Sequence, residues 1–172
     1  PFLEDAAAED TARRRQVLAL TGPADAVLDA KGETVFRRRP VYQVFELLTL
    51  HKIRRGEIRL DLPQVLRERG VGVVLPSRVI TDREFADFLA ANYLQVAPGL
   101  LLAGKRFDLA EGQGGIDFDL AIAGDYRADG CESGCRIDGA TWSGPRPLSA
   151  GRHRLEVDGA RRVDLLLASV AR

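Results

Sequence analysis

Three polar residues stand where the sequence pattern predicts a ligand-binding edge: Asp29, Ser77 and Arg78. Asp29 ends the apolar run at residues 26–28, and the other two follow the apolar run at residues 71–75. A predicted helix precedes each run, which favours two parallel strands with crossover connections. Because ligands of open α/β sheets bind beyond the carboxyl ends of such strands, we predict that the three side chains line one cleft. Arg78 would hold a phosphate or carboxylate there with help from Ser77, or else form a structural ion pair with Asp29.

The two cysteines, Cys131 and Cys135, lie four residues apart in DGCESGC. A Gly-containing loop can adapt to the Cα separation that a disulfide requires. We therefore predict that the two are bonded and that the chain matures in an oxidising compartment. Tetrahedral zinc would need two further ligands. Only His51 and His153 are present and neither neighbours another ligand in the sequence, so we predict no metal site.

Two aromatic positions are candidates for ligand contact. Trp142 lies near Pro145 and Pro147, and its ring is either a stacking platform for a sugar or a cap on the hydrophobic core. Tyr42 follows three arginines at residues 37–39, which together suit a phosphate or a lipid head group. The alternative for Tyr42 is a partly buried ring beside a solvated turn. The sequence alone leaves both pairs of alternatives open.

The common catalytic patterns are absent from the sequence. There is no Ser-His-Asp order, Gly-x-Ser-x-Gly, metal-ligand set or nucleotide fingerprint. Asp117 and Asp119 alternate along a predicted strand, which places them on its solvated face and not in an acid–base pair. The Gly-rich stretch at 108–115 has no Gly-Lys-Ser/Thr triplet, so it is not a phosphate loop. We predict a chain that requires no cofactor and is not catalytic by itself.

The composition excludes several partners. Lys plus Arg number 25 and Asp plus Glu number 25, so the net charge is zero and nucleic acid is not an expected partner. Arg13 to Arg15 are expected on a solvated helix face, with contact to anionic lipid as the alternative. The chain begins at Pro1 and has no methionine, so we expect a processed protein or a piece of a longer one. The longest uncharged stretch, residues 88–104, contains Asn, Gln, Pro and Gly and is a poor membrane span.

The hydrophobic pattern predicts an α/β domain at residues 1–107, with a small Rossmann-like layer that ends in a hairpin. Its predicted helices cover residues 5–20, 41–53 and 62–69, and a further helix is capped by Thr81 or Asp82. Its predicted strands cover residues 26–28, 34–36, 71–75, 93–97 and 100–103. Pro98-Gly99 between the last two is typical of a type II turn.

A different sequence pattern begins after the Gly-rich linker at residues 108–115. Apolar and polar residues alternate from Ile116 onward, and Asp138-Gly139 and Asp158-Gly159 each lie between apolar positions, which is a strong hairpin signal. Residues 116–172 are therefore predicted to form a compact antiparallel β-sandwich of five or six short strands.

Several segments resemble the C-terminal extracytoplasmic region of bacterial integral-membrane glycosyltransferases. They are similar to the group of dolichyl-phosphate-mannose–protein mannosyltransferases and lipid A aminoarabinose transferases. The α/β part carries this resemblance in PADAVLDAKGETVFRRRPVYQVF, GEIRLDLPQVLRERGVGVVLPSR and FADFLAANYLQVAPGLLLAGKRF. The pieces GDYRADG, CRIDGATW and LSAGRHRLEVDG resemble the β appendage of some members.

The resemblance implies a longer protein with many membrane helices that moves a sugar from a polyprenyl-phosphate donor. The catalytic acid of that family lies in an early extracytoplasmic loop, and no position here matches its motif. The chain would then be an accessory domain on the periplasmic face of the inner membrane. It would contact the transmembrane portion and assist access of the lipid-linked sugar or a glycan acceptor. The alternative is a stand-alone periplasmic module that binds carbohydrate or protein, and an independent small enzyme ranks last.

Overall fold

The structure is a computed structural model that describes residues 2–29, 32, 34–76, 82–131, 134–159 and 161–168. Helices and strands are mixed along the chain. The helices are α1 (Phe2–Leu20), α2 (Leu47–Arg54), α3 (Leu62–Arg69) and α4 (Arg83–Asn92). The strands are β1 (Val27–Asp29), β2 (Val73–Leu75), β3 (Tyr93–Ala97), β4 (Leu100–Leu109), β5 (Ile116–Leu120), β6 (Gly124–Asp129), β7 (Cys135–Ile137), β8 (Ala140–Thr141), β9 (Arg146–Leu148), β10 (Gly151–Val157) and β11 (Arg161–Leu167).

The chain divides into two units. Unit 1 contains the described parts of residues 1–86 together with 95–101, and unit 2 contains residues 87–94 and the described parts of 102–168. The sequence pattern placed everything up to residue 107 in the first domain, whereas the contacts group 102–107 with the second unit. The reason is that β4 continues to Leu109 and pairs with β11 from Gly104 onward.

Two short parallel strands lie in unit 1, as predicted. Val27 is the register partner of Val73, and Asp29 is the partner of Leu75. Every residue of both strands is buried. Short apolar runs of this kind are typical of strands covered on both faces.

The ends of α3 and the start of α4 follow from capping residues. Asp61 caps α3 by accepting a hydrogen bond from the backbone N–H of Gln64 at 2.8 Å. Gly70 ends this helix in the left-handed conformation, with φ of 59°. Asp82 caps α4 by accepting from the N–H of Phe85 at 2.7 Å. The other predicted cap, Thr81, lies outside the described residues.

Two predictions for unit 1 are wrong. The strand predicted at 34–36 is a turn, because the N–H of Thr34 donates to the Asp29 carboxylate and the N–H of Arg37 donates to the carbonyl of Thr34. The helix predicted from residue 41 begins only at Leu47. Val41 and Phe45 are buried from an irregular segment, so their apolar spacing reflects core packing without a helix.

The predicted hairpin between β3 and β4 is confirmed. Gly99 has a φ of 67°, the positive value that the third position of a type II turn requires.

Unit 2 is antiparallel. One set of strands has the order β4-β11-β6-β9, and a four-stranded sheet has the order β5-β10-β7-β8. Both sets contribute to one core, in which the rings of Phe107 on β4 and Phe118 on β5 lie 4.9 Å apart. The Asp138-Gly139 hairpin is confirmed by the pairing of β7 with β8. The Asp158-Gly159 hairpin is wrong, because β10 and β11 pair with different neighbours.

Candidate functional site

The carboxyl ends of β1 and β2 meet at one edge, as the sequence predicts. Asp29 and Leu75 end the two strands side by side. They line a cavity of about 20 Å³, which α1 and the following turn complete with Asp10, Arg13, Arg14, Val17 and Thr34. Ser77 and Arg78 lie outside the described residues, so the cleft that they would share with Asp29 stays a prediction.

Asp29 and Arg13 at this edge already have partners. Asp29 is 8% exposed, and its carboxylate accepts the N–H of Thr34 at 2.8 Å. Arg13 lies 3.3 Å from the Asp10 carboxylate. A cavity of this size holds about one water molecule. The described part of the edge therefore has no room for a larger ligand. The sequence predicts Arg13 on a solvated helix face, whereas α1 brings it to this edge.

A larger groove lies beside the arginine run and Tyr42. Its volume is about 670 Å³, and it is lined by Arg39, Pro40, Val41, Tyr42, Val44 and Arg69. Tyr42 is 93% exposed, so the partly buried alternative is wrong. Arg69, from the last turn of α3, supplies a second guanidinium that the linear arginine run does not indicate.

The three arginines of the run have different surroundings. Arg37 donates from Nε to the hydroxyl of Thr21 at 2.7 Å and from Nη2 to the carbonyl of Thr21 at 2.6 Å, so it fastens the chain after α1. Arg38 is exposed. Arg39 donates to the carbonyl of Gln43 at 2.9 Å, which positions its guanidinium at the groove. Only part of the predicted basic patch is therefore available for a ligand.

Trp142 is 7% exposed and belongs to the core of unit 2. The Cζ atom of Arg146 lies 4.7 Å from the centre of a Trp142 ring and covers it. This arrangement favours the packing interpretation of Trp142 over a sugar-stacking platform.

His153 and Asp138 form a polar pair that the sequence pattern does not indicate. Nδ1 of His153 lies 2.7 Å from the Asp138 carboxylate, and Nε2 lies 2.9 Å from the carbonyl of Ser149. Burial opposes the imidazolium form, but the two hydrogen bonds outweigh it, so the pKa of His153 lies above its ordinary 6.5. The pair fastens the β7–β8 turn to β10, because Asp138 also accepts the N–H of Arg154 at 2.9 Å.

The same pair depresses the pKa of Asp138. Burial alone would raise it, but the hydrogen bonds from His153 and from the N–H of Arg154 bring it below its ordinary 3.8. Asp138 also has a positive φ of 52°, a conformation that Asp and Asn adopt more readily than most residues. The adjacent Asp-Gly signal marks the turn but gives no indication of its histidine partner on β10.

The outward placement of Asp117 and Asp119 is confirmed. Both are exposed, and Asp117 accepts hydrogen bonds from Arg152 at 3.0 Å and from Arg154 at 3.1 Å. These two hydrogen bonds lower the pKa of Asp117. The carboxylate is held in cross-strand ion pairs, as opposite charges on one sheet face favour.

The predicted disulfide between Cys131 and Cys135 is confirmed, with a Cα separation of 5.4 Å. Both cysteines belong to the core of unit 2. Within the described part of the chain, no group of three or more His, Cys, Asp and Glu side chains is placed to hold a metal ion.

No protein-family model, curated protein or solved structure matches this chain. Among the helices of the described residues, none combines the length and apolar character needed to cross a bilayer.

Proposed function

We propose that this chain is a non-catalytic accessory domain of a membrane glycosyltransferase that uses a polyprenyl-phosphate-linked sugar. The observation that carries the proposal is the groove that Arg39, Tyr42 and Arg69 line. The residues that line this groove come from two of the segments that resemble the extracytoplasmic region of such enzymes. Its task is to receive the head group of the donor and so assist donor or acceptor access to the transmembrane portion.

The residues of the groove suit a phosphate joined to a sugar. Guanidinium groups bind phosphate through parallel N–H donors, and Arg39 and Arg69 approach the groove from different elements. Tyr42 adds an exposed aromatic face for the sugar or for the first isoprene unit. The volume of about 670 Å³ lies within the usual range for small-molecule pockets, so it suits a sugar joined to a phosphate.

The Cys131–Cys135 bond supports the periplasmic location within this proposal. Disulfides persist in oxidising compartments such as the bacterial periplasm and are rare in the cytosol. Both cysteines are buried in the core of unit 2, so the bond is part of the packing of that unit.

We also propose a specific architecture for each unit. The parallel pairing of β1 with β2 supports a small Rossmann-like layer in unit 1. In unit 2, the core that residues of both strand sets share supports a β-sandwich.

The groove is tested by titrating the chain with a water-soluble, short-chain polyprenyl-phosphate sugar and following NMR shifts. We expect shifts at Arg39, Tyr42 and Arg69. Each arginine-to-glutamine change should weaken binding by roughly 10-fold, since a hydrogen bond to a charged group contributes about 1.5–3 kcal/mol. Arg152→Gln is the matched control, because this exposed arginine lies on β10 and should leave the affinity unchanged.

Two ligand comparisons separate this function from the alternative. A free glycan without phosphate should not shift the groove residues, whereas its binding there would favour a carbohydrate-binding module. Absence of shifts with the phosphate-linked sugar would contradict the proposed role of the groove.

A further inference from the structure

The outward face of α2 carries two exposed leucines followed by cations. Leu47 is 88% exposed and Leu48 is 67% exposed. Helical spacing places Leu47 on the same face as His51, and Leu48 on the same face as Lys52. Exposed adjacent leucines are unfavourable in water, so this end of the helix is suited to a partner.

The opposite face of α2 lies towards its own unit. Thr49, Leu50 and Ile53 are half-buried, and Arg54 is exposed. The helix, which is described throughout, has no fully buried residue. The helix therefore packs on unit 1 through these half-buried residues, and the two leucines of its first turn are exposed to solvent.

The segment that contains α2 has a strong net positive charge. Residues 37–55 contain six Arg or Lys and one Glu, a net charge of +5, although the whole chain is neutral. Arg37 is engaged with Thr21, and the remaining basic side chains are exposed: Arg38, Arg39, Lys52, Arg54 and Arg55. Arg55 also contacts Glu57 at 2.9 Å. Concentrated positive charge beside exposed leucines is a pattern that the overall composition conceals.

We propose that α2 docks on a bilayer of anionic phospholipid. Leu47 and Leu48 enter the boundary between head groups and acyl chains, and Lys52, Arg54 and Arg55 contact the lipid phosphates. Exposed leucines next to basic side chains favour a lipid surface, because an anionic bilayer presents negatively charged head groups above an apolar interior. A nucleic acid would match the charge but leave the leucines in water. The inference goes beyond the proposed function, since it needs neither a sugar donor nor a transferase.

The test is co-sedimentation of the full chain with vesicles. We expect binding to phosphatidylglycerol mixed with phosphatidylcholine, weaker binding at high salt, and little binding to phosphatidylcholine alone. Leu47→Ser and Leu48→Ser should each lower the partition coefficient by up to about 10-fold, because each removes buried apolar area. Lys52→Gln and Arg54→Gln should each lower it by roughly 5-fold. Leu47→Trp should show a blue-shifted emission only with the anionic vesicles.

Matched controls lie elsewhere on the surface. Leu18→Ser changes another exposed leucine, and Arg152→Gln changes another exposed arginine; both should bind as the unmodified chain does. Since the changed side chains are exposed, circular dichroism should show every variant folded. Absence of binding to anionic vesicles, or binding that the leucine changes do not affect, would overturn the proposal. So would leucine-dependent self-association without vesicle binding, which would assign this face to a second copy of the chain.

Discussion

At the residue scale, His153 and Asp138 make the stability of unit 2 depend on pH. The raised pKa of His153 gives a contribution that is present below pH 6.5 and is lost as the pH rises through the folded-state pKa. The depressed pKa of Asp138 gives a contribution that is present above pH 3.8 and is lost as the pH falls through its folded-state pKa. The two contributions therefore coincide between these values.

Asp138→Asn tests this pair. Asn keeps the size and tolerates the positive φ, but it removes the charge that favours the imidazolium. We expect the NMR-measured pKa of His153 to fall, because burial and the nearby Arg146 then dominate. The unfolding free energy should drop by about 1–2 kcal/mol near pH 5 and by less near pH 8. Asp129→Asn is the control, and an unchanged His153 pKa in Asp138→Asn would contradict the assignment.

Tyr126 and Tyr42 form a second comparison at this scale. Tyr126 is 1% exposed and donates to the carbonyl of Ile122 at 2.7 Å, and burial raises the pKa of its hydroxyl. Tyr126→Phe should lower the urea-measured unfolding free energy by about 1–2 kcal/mol, because the buried carbonyl loses its donor. Tyr42→Phe at the exposed position should change it by less than about 0.5 kcal/mol. Equal effects of the two changes would show that the Tyr126 hydrogen bond does not stabilise the fold.

At the element scale, Gly104 allows β4 to pair closely with β11. A Cβ atom there would clash with the carbonyl oxygen of Leu165 and lie 3.1 Å from Cδ2 of Leu166. Gly104→Ala should lower the unfolding free energy by about 1–3 kcal/mol through overpacking. Gly114→Ala is the matched control, since a Cβ there meets no described atom within 4 Å. A similar loss in both variants would contradict the clash, because the lower backbone entropy of the unfolded alanine variant would by itself stabilise the fold.

The connection between β6 and β7 is closed by the Cys131–Cys135 bond. Changing both cysteines to alanine should lower the unfolding free energy by roughly 2 kcal/mol, the chain-entropy value for so short a loop. Reduction of the unmodified protein before unfolding should reproduce this loss. Protein secreted into an oxidising compartment should show no reactive thiol when it is denatured without reductant, and two reactive thiols would contradict the pairing.

The elements that the sequence predicted correctly are those with local causes. Gly70 ends α3 by itself, and Pro98-Gly99 specifies its own turn. The Asp158-Gly159 signal was misleading because the choice of pairing partner for β10 and β11 depends on distant strands. Likewise Val41 and Phe45 have apolar spacing near a helical period but are buried from irregular backbone, a result of tertiary packing.

The site was less predictable than the fold for a related physical reason. The position of Asp29 at a shared strand end follows from the βαβ pattern, and the structure confirms that strand arrangement. The approach of Arg13 and Arg14 to that edge, and of Arg69 to the groove, depends on how helices pack. Trp142 could not be assigned to core or surface until its strand neighbours were known.

At the scale of the whole molecule, a neutral chain has an uneven charge. The segment at residues 37–55 carries +5, so the remaining residues carry −5. Both the groove of Arg39 and Tyr42 and the exposed face of α2 involve this basic segment of unit 1. Both proposed functions therefore involve one segment of the chain. By contrast, Arg152 and Arg154 on β10 form ion pairs with Asp117 on β5, which link the two strands.

The most direct test of the account is sugar transfer by the product of the complete gene that encodes this chain. With a polyprenyl-phosphate-linked sugar as donor, we expect transfer by the complete product and none by the chain alone. Arg39→Gln with Arg69→Gln should raise the KM for the donor by roughly 10-fold or more with kcat little changed, because in our proposal the groove binds the donor without taking part in the chemistry. Absence of transfer by the folded, membrane-inserted complete product, or turnover by the isolated chain, would contradict the account.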